Sequence, residues 1–335
     1  MSGNKFFAAL AGFELPRIPL CGQQRSGFFL EVTSRRLIIG SRGSDLALIQ
    51  AGIVQTALQN ACGLRSEIKV IRTEGDHREH LGFDQMEGRG FFTKELEDAL
   101  LDQSIDLAVH SLKDLPTTQP DGLVIGAVGF RADRRELLLM LPGVRMGTGV
   151  LPIRSGGRIG TSSTRRKAQI AYDNLTLQIL DLRGNVPTRI RKLRDGQYDA
   201  IIIAAAGVER LGLDMTNLDT TLLDLEDFVP APGQGVLAIE IRNDDHDLAS
   251  AVAKLNSPPV ETEISAERGL LKRFGAGCSL PLGAFAVGSD TGIRLVAVLG
   301  TGNGKTWGGL KRVDVTAGSV EEVVKSAFAA LTRGD

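Results

Sequence analysis

Short apolar runs that end in polar loops and lead into helical periodicity recur along the chain. Residues 37–39 are apolar and end at the loop 40–44, after which apolar positions repeat at helical spacing from Asp45 to about residue 61. The same order returns at residues 158–172, where Ile159 and Gly160 precede a loop of threonines and serines. Each pattern predicts a strand, a polar loop and a helix.

A third unit of this kind lies near the middle of the chain. Residues 178–182 read as a strand, residues 183–185 as a turn, Pro187 as a first helical residue and residues 198–206 as the next strand. Strands that alternate with helices in this way form parallel sheets. The sequence therefore predicts an α/β fold.

Two further loops indicate where a ligand and a hinge would lie. A buried strand at residues 105–110 runs into a segment that places Lys113 and Asp114 just past its carboxyl end. Open α/β sheets bind ligands at that edge. The segment 230–235, rich in proline and glycine, predicts a hinge or crossover before another strand at residues 236–241.

The C-terminal part follows a different pattern. The sequence predicts, in order, a helix after Pro258 and Pro259, a glycine-rich loop at 275–278, strands at 293–299 and 311–315, and a helix at 320–331. This succession is typical of a small α+β domain.

Composition restricts the classes of function. With 42% apolar and 24% charged residues among 335, the chain is expected to fold. A net charge of −1 and only 5% aromatic residues disfavour nucleic acid and anionic membranes as partners. The most apolar stretch, residues 200–208, is shorter than the roughly 20 residues of a transmembrane helix.

The cysteines and the first residues bear on localisation. Cys21, Cys62 and Cys278 are widely spaced, which argues against a disulfide framework and for a reducing compartment. Residues 1–35 show no helical or strand period and form an N-terminal extension, interpreted as a flexible tail or, less favoured, as a transit peptide. The expected localisation is cytoplasmic, with an organelle stroma as the alternative.

Basic residues are concentrated in one part of this nearly neutral chain. Eight of them lie between Thr161 and Arg194 against two acidic residues, namely Arg165, Arg166, Lys167, Arg183, Arg189, Arg191, Lys192 and Arg194. Arginines beside hydroxyls at a helix start suit a carboxylate or phosphate. We interpret Arg165, Arg166 and Arg183 as ligand-binding, and Arg191, Lys192 and Arg194 as a solvated helix face. For Arg42 and Ser44, anion binding and simple helix capping are equally supported.

Asp114 and Cys278 each allow two interpretations. A carboxylate among cations can stabilise a cationic intermediate or move protons, or it can form a surface ion pair. A thiol in a glycine-flanked loop can be a reactive thiolate or a buried, inert side chain. His77 and His80 lack further ligands for zinc. The chain has no Walker loop and no nucleophile elbow, so nucleotide and acyl hydrolysis lose support.

In order along the chain, five motifs resemble those of one family, hydroxymethylbilane synthase, also called porphobilinogen deaminase. They are DLAVHSLKDLP at residues 106–116, GTSSTRR at 160–166, LRGNV at 182–186, AGVERLG at 206–212 and GCSLP at 277–281. The resemblance runs from about Leu37 to the C-terminus. It implies two lobes like those of type II periplasmic binding proteins, linked by a double crossover, and a small α+β C-terminal domain. The implied domains are residues 36–130 with 234–255, residues 131–233, and residues 256–335.

The resemblance also implies a chemistry. Cys278 would carry a dipyrromethane cofactor through a thioether. Four porphobilinogen molecules would each lose ammonia and be joined head to tail on that cofactor, and water would release linear hydroxymethylbilane. Asp114 would be the catalytic residue. The residues implied to bind substrate or cofactor are Arg42, Ser44, Lys94, Ser111, Lys113, Thr161, Ser163, Arg165, Arg166, Arg183, Arg189 and Arg210. No metal is implied, and a monomer is the expectation.

Three positions depart from the family pattern. Asp45 stands where the family usually has Pro, Arg89 stands where Lys is common, and residues 134–136 read Arg-Arg-Glu in place of Pro-Arg-Asp. Two other classes would use similar anion loops, a non-catalytic polyanion-binding protein and a phosphoryl-transfer enzyme. Asp114 and Cys278 argue against the first, and the lack of a metal site or Walker loop argues against the second.

Overall fold

The computed structural model describes residues 36–73, 93–275, 279–302 and 307–333. The helices are α1 (Asp45–Cys62), α2 (Lys94–Leu101), α3 (Thr164–Asp173), α4 (Val186–Arg194), α5 (Ala205–Leu211), α6 (His246–Val252), α7 (Pro258–Arg273) and α8 (Val320–Thr332). The strands are β1 (Leu37–Ser41), β2 (Ser66–Val70), β3 (Leu107–Ser111), β4 (Leu123–Gly129), β5 (Glu136–Met140), β6 (Arg158–Gly160), β7 (Gln178–Leu180), β8 (Ala200–Ala204), β9 (Asp219–Leu222), β10 (Leu237–Arg242), β11 (Leu282–Ser289), β12 (Gly292–Gly302) and β13 (Trp307–Ala317). No helix among these residues is long and apolar enough to span a membrane.

Two five-stranded sheets of the same design form lobe 1 and lobe 2. The strand orders are β2-β1-β3-β10-β4 in lobe 1 and β7-β6-β8-β5-β9 in lobe 2. In each sheet three neighbouring strands are parallel and the fourth runs antiparallel to both of its neighbours. The third sheet, β11-β12-β13, is antiparallel and packs against α7 and α8 as the C-terminal unit.

The fold class expected from the sequence, two α/β lobes and a small α+β unit, is confirmed. The strand-loop-helix patterns fold as predicted because local signals agree with burial. Ser44 accepts a hydrogen bond from Ala47 N–H and starts α1, and Asn185 accepts one from Thr188 N–H and starts α4. The core of lobe 1 buries apolar side chains of β1 and β3, such as Ile39 and Leu107, against α1.

Several predicted bounds are wrong. The strand expected at 198–206 ends at Ala204, because the chain turns there into α5, and the strand expected at 178–182 ends at Leu180. Strand β11 was not predicted at all. Its sequence, LGAFAVGS, is mostly small and apolar and lacks the alternation that marks a strand with one exposed face.

Two crossovers join the lobes. The first, residues 130–135, leads from β4 to β5, and the second, residues 223–236, leads from β9 back to β10. They lie side by side, since Ala132 N–H donates to Gly235 O at 3.0 Å. Residues 230–235, where the sequence predicted a hinge or crossover, lie within the second crossover.

Candidate functional site

The backbone of the segment that carries Asp114 is held by its neighbours. A single 3-10 turn, Leu112–Asp114, follows β3, and Leu112 N–H donates to Val236 O at 3.0 Å. The Arg268 guanidinium of α7 donates to three carbonyls of this segment, Leu112 O at 3.0 Å, Leu115 O at 2.9 Å and Pro116 O at 2.6 Å. The carboxylate of Asp114 itself is exposed and accepts no hydrogen bond from the described residues. The turn is thus fixed while its carboxylate remains open to a ligand.

Lys113 connects this turn electrostatically to lobe 2. Burial lowers the pKa of its ammonium group, Asp114 and Glu136 oppose the shift, and Arg166 and Arg165 add to it. An ammonium group of lobe 1 therefore lies close enough to two arginines and a glutamate of lobe 2 to be affected by their charges. The site is formed where the two lobes face each other.

The N-terminus of α3 contributes hydroxyls and arginines. The Ser163 side chain accepts a hydrogen bond from Arg166 N–H, and Thr161 Oγ1 accepts one from Ser163 N–H at 3.2 Å. Both hydroxyls thus shape the helix start, and each retains its own O–H to donate. Free backbone N–H groups and the helix dipole favour an anion at this position.

Arg165 and Arg166 are 5% exposed and share one carboxylate. Glu136 Oε1 accepts from Arg165 Nη2 at 2.6 Å, and Glu136 Oε2 accepts from Arg166 Nη2 at 2.7 Å. Burial opposes the ionisation of Glu136, but the two guanidinium groups hold its pKa well below the usual range. Arg166 keeps a buried Nε–H without a hydrogen-bond partner among the described residues.

In lobe 1 the first loop caps a helix, one of the two roles that the sequence allowed, and anion binding there stays a prediction. Ser44 caps α1 at 3.3 Å, and Arg42 lies partly buried at the carboxyl end of β1. Ser111 exchanges hydrogen bonds with the Gln50 amide of α1, with Oγ at 2.9 Å from Nε2 and 3.2 Å from Oε1. Lys94 is the exposed first residue of α2.

Of three more predicted arginines in lobe 2, Arg183 follows β7, Arg189 lies in α4 and Arg210 lies in α5. Arg183, after β7, is partly buried, and its guanidinium makes no hydrogen bond within the described ranges. Arg189 Nε donates to Gly184 O at 2.7 Å. Arg210 donates through Nη2 to Phe130 O at 2.9 Å and Gly235 O at 2.6 Å, so it joins both crossovers to α5.

Burial lowers the pKa of Arg210 to about 10. Its Nε–H has no hydrogen-bond partner among the described residues, and its two acceptors there, Phe130 O and Gly235 O, are neutral carbonyls. A buried cation on neutral acceptors alone favours the approach of an anion.

Cys278 lies outside the described residues, as do His77, His80 and Arg89. The residue after Cys278 is described. Thr164 Oγ1, in the first turn of α3, donates to Ser279 O at 2.9 Å. The C-terminal unit therefore touches the same helix start that carries Ser163 and Arg166.

The sequence did not reveal the residues that hold the side chains and backbone of the site in place. Glu136 was noted only as a departure from the family pattern, and Gln50, Glu267 and Arg268 were not singled out. The sequence does hold a signal for Glu136 and Glu267. Glu136 directly precedes an apolar run at residues 137–140, and Glu267 lies at helical spacing from Ile264 and Leu270. Such a residue needs a partner inside the fold.

Two models of one protein family match this chain along most of its length. Residues 37–250 match the family model described as "Porphobilinogen deaminase, dipyromethane cofactor binding domain". Residues 261–331 match "Porphobilinogen deaminase, C-terminal domain".

Individual relatives and solved structures resemble this chain to different degrees. The porphobilinogen deaminase of Syntrophobacter fumaroxidans is 45% identical over 256 residues, covering 76% of this chain and 81% of that protein. That of Roseiflexus sp. is 42% identical over 277 residues, covering 82% and 89%. A periplasmic substrate-binding protein of Coxiella burnetii has a TM-score of 0.40 at 15% identity, covering 69% of this chain and 96% of that chain. The chain belongs to the porphobilinogen deaminase family of enzymes, and residues 37–250 are its dipyrromethane cofactor-binding domain.

Proposed function

We propose that this protein is a hydroxymethylbilane synthase that condenses four porphobilinogen molecules in tetrapyrrole biosynthesis. The observation that carries the proposal is the arrangement around Asp114. A fixed turn presents an exposed carboxylate, and Lys113 beside it responds to the charges of Arg165, Arg166 and Glu136 in the opposite lobe.

The residues of the site fit a dipyrromethane cofactor. Each ring of the substrate and of the cofactor carries an acetate and a propionate, so the bound chain is a polycarboxylate. The site offers buried Nε–H groups of Arg166 and Arg210 that lack partners among the described residues, and the Arg183 guanidinium without a hydrogen bond there. Arginine suits carboxylates because its N–H groups can bind both oxygens at once.

We assign the attachment of this cofactor to Cys278. The contact between Thr164 Oγ1 and Ser279 O supports the assignment, because it brings the residue next to Cys278 to the arginine-bearing helix. When bound, the dipyrromethane supplies the terminal nucleophilic carbon to which each new ring is joined. Besides Arg166, Arg183 and Arg210, the proposed carboxylate-binding residues are Arg42, Ser44, Lys94, Ser111, Lys113, Thr161, Ser163, Arg165 and Arg189.

Asp114 is the proposed catalytic residue. Its carboxylate can accept hydrogen bonds from the pyrrole N–H of the substrate and so orient the ring. It also stabilises the positive charge that develops on the substrate when ammonia leaves, because that charge arises beside a fixed anion. Arg268 supports this role from outside by holding the carbonyls on both sides of the turn.

The division into domains, the oligomeric state and the localisation are also proposals. Residues 36–130 with 234–255, residues 131–233 and residues 256–335 are the proposed domains, supported by the return of β10 to the first sheet. A monomer in the cytoplasm is proposed from the family resemblance, with an organelle stroma as the alternative if residues 1–35 are a transit peptide.

The test is the activity of Asp114→Asn, which keeps the shape of the side chain and removes its charge. Hydroxymethylbilane formed from porphobilinogen is measured for wild type, for Asp114→Asn and for Asp121→Asn, a control at an exposed carboxylate seven positions along the chain. We expect kcat to fall on the order of 100- to 1000-fold for Asp114→Asn and to stay unchanged for the control. A wild type that consumes no porphobilinogen, or an active Asp114→Asn enzyme, would contradict the proposal.

A further inference from the structure

Glu136 is a buried carboxylate to which the proposed chemistry assigns no role. It is the first residue of β5, is 0% exposed, and bridges Arg165 and Arg166 through its two oxygens at 2.6 and 2.7 Å. Each arginine has a second fixed point, since Arg165 Nη1 donates to Val229 O at 2.9 Å and Arg166 Nη1 to Ile202 O at 3.0 Å. Both guanidinium groups are therefore oriented before any ligand arrives.

The charges around Glu136 form one group that spans the two lobes. Lys113, Arg165 and Arg166 are positive, and Glu136 and Asp114 are negative, and the Lys113 ammonium responds to all four of the others. This group has an excess of one positive charge. Without Glu136 the excess would be two, in a buried setting where charges are poorly screened.

We propose that Glu136 is a positioning residue that sets the charge of this group, so that ligand carboxylates bind reversibly and the positive charge developing beside Asp114 is not opposed. The proposal rests on the proposed function, because it concerns the same site. Glu136 acts through the two arginines and Lys113.

Two opposite effects follow when this negative charge is removed. The more positive group attracts carboxylates more strongly, so the affinity for a polycarboxylate rises. The same change disfavours a cation at the reacting ring, so kcat falls. If Glu136 only held the fold together, its loss would misplace the arginines and weaken binding.

The first readout is binding, which needs no catalysis. Citrate, a small tricarboxylate, is titrated calorimetrically into full-length protein in which Cys278→Ser prevents cofactor attachment. Adding Glu136→Gln is expected to lower the Kd for citrate on the order of tenfold, the effect of about 1.4 kcal/mol. Glu136→Asp, which keeps the charge, is expected to stay within about twofold of the parent.

The matched control is Glu226→Gln. Glu226 also bridges two arginines, Arg294 and Arg312, each at 2.8 Å, but it lines a cavity at the other end of α3 together with Tyr172. Losing this bridge, whose carboxylate is 43% exposed, is expected to leave citrate affinity unchanged. A similar tightening in this control would show a general effect of net charge and overturn the proposal.

The second readout separates kcat from KM in protein with Cys278 intact. Glu136→Gln is expected to lower kcat on the order of tenfold without raising KM for porphobilinogen, and Glu136→Asp to restore most of kcat. A raised KM together with weaker citrate binding would overturn the proposal, since that is the result of a purely structural role. If wild type itself forms no hydroxymethylbilane, the proposed function fails, while the citrate result still decides the role of Glu136.

Glu136→Gln removes the negative charge that the two buried arginines share, so this variant can fail to fold. Glu136→Asp then carries the test, because it keeps the negative charge while shortening the bridge to Arg165 and Arg166. We expect it to fold and to bind citrate within about twofold of the parent, because the charge of the group is unchanged. Binding tenfold weaker would show that Glu136 acts by placing the two arginines and not by its charge, and would overturn the proposal.

Discussion

Glu267 joins both crossovers to the C-terminal unit, so we expect its removal to destabilise the protein. This carboxylate of α7 is 0% exposed. Oε2 accepts from Gly233 N–H of the second crossover at 2.7 Å. Oε1 accepts from Ala286 N–H of β11 at 3.1 Å and from Arg131 Nη2 of the first crossover at 2.8 Å. Three segments distant in sequence thus meet on one side chain.

The cost of Glu267→Ala follows from these contacts. Two buried backbone N–H groups lose their acceptor, at about 1–3 kcal/mol each. Arg131 keeps Glu263, which accepts from its Nη1 at 2.8 Å, so the cation retains one partner. We expect the free energy of unfolding to fall by about 4 kcal/mol, within the range for removing one partner of a buried ion pair.

The assay is urea unfolding followed by circular dichroism, with Glu263→Ala as the control. Glu263 lies one helical turn earlier, pairs with the same Arg131 and is 18% exposed. Within the described part of the chain, it accepts hydrogen bonds from arginine side chains only. Its loss is expected to cost about 1 kcal/mol. Equal costs for the two variants would refute the reasoning, because they would show that the backbone N–H groups of Gly233 and Ala286 do not depend on the buried carboxylate.

Two other predictions concern the contact between the crossovers and the stability in acid. Gly235 has φ of 85°, and a Cβ there would lie 2.5 Å from Ala132 O. Gly156 has a similar φ of 73°, but no atom lies within 4 Å of a Cβ placed there. Gly235→Ala is therefore expected to lower the urea midpoint clearly more than Gly156→Ala. Equal shifts would show that backbone strain alone, and not the contact between the crossovers, sets the cost. Hydrogen bonds from Arg158, with the Arg154 charge, lower the pKa of Asp199 to about 2. The ionised Asp199 carboxylate therefore stabilises the fold fully above about pH 4, and this contribution is lost as the pH falls through 2. Asp199→Asn should lower the urea midpoint at pH 7 and lose that difference near pH 2; a difference independent of pH would contradict this.

The elements around the site could be predicted because their signals are local. Ser44, Ser163 and Asn185 each cap a helix that starts within one residue, and the strands before these loops are short apolar runs. Ligand residues after such strands share one edge of a parallel sheet by geometry alone. This is why a position for Lys113 and Asp114 at a sheet edge could be expected without coordinates.

The partners of the buried charges could not be predicted, because they are distant in sequence. Glu136 pairs with arginines 29 and 30 positions away, and Arg210 binds Phe130 O across 80 positions. The sequence suggested that Arg210 binds a ligand carboxylate, and that stays a prediction. The structure adds that Arg210 donates hydrogen bonds to both crossovers, which neither spacing nor composition indicates.

The intact mass of the purified protein, with and without Cys278→Ser, tests the central claim most directly. The account predicts that wild type carries an added mass of two pyrrole units, that the variant carries none, and that wild type briefly gains further units when porphobilinogen is added. A wild type that keeps the polypeptide mass alone even after incubation with porphobilinogen would contradict it, as would an adduct that persists in Cys278→Ser.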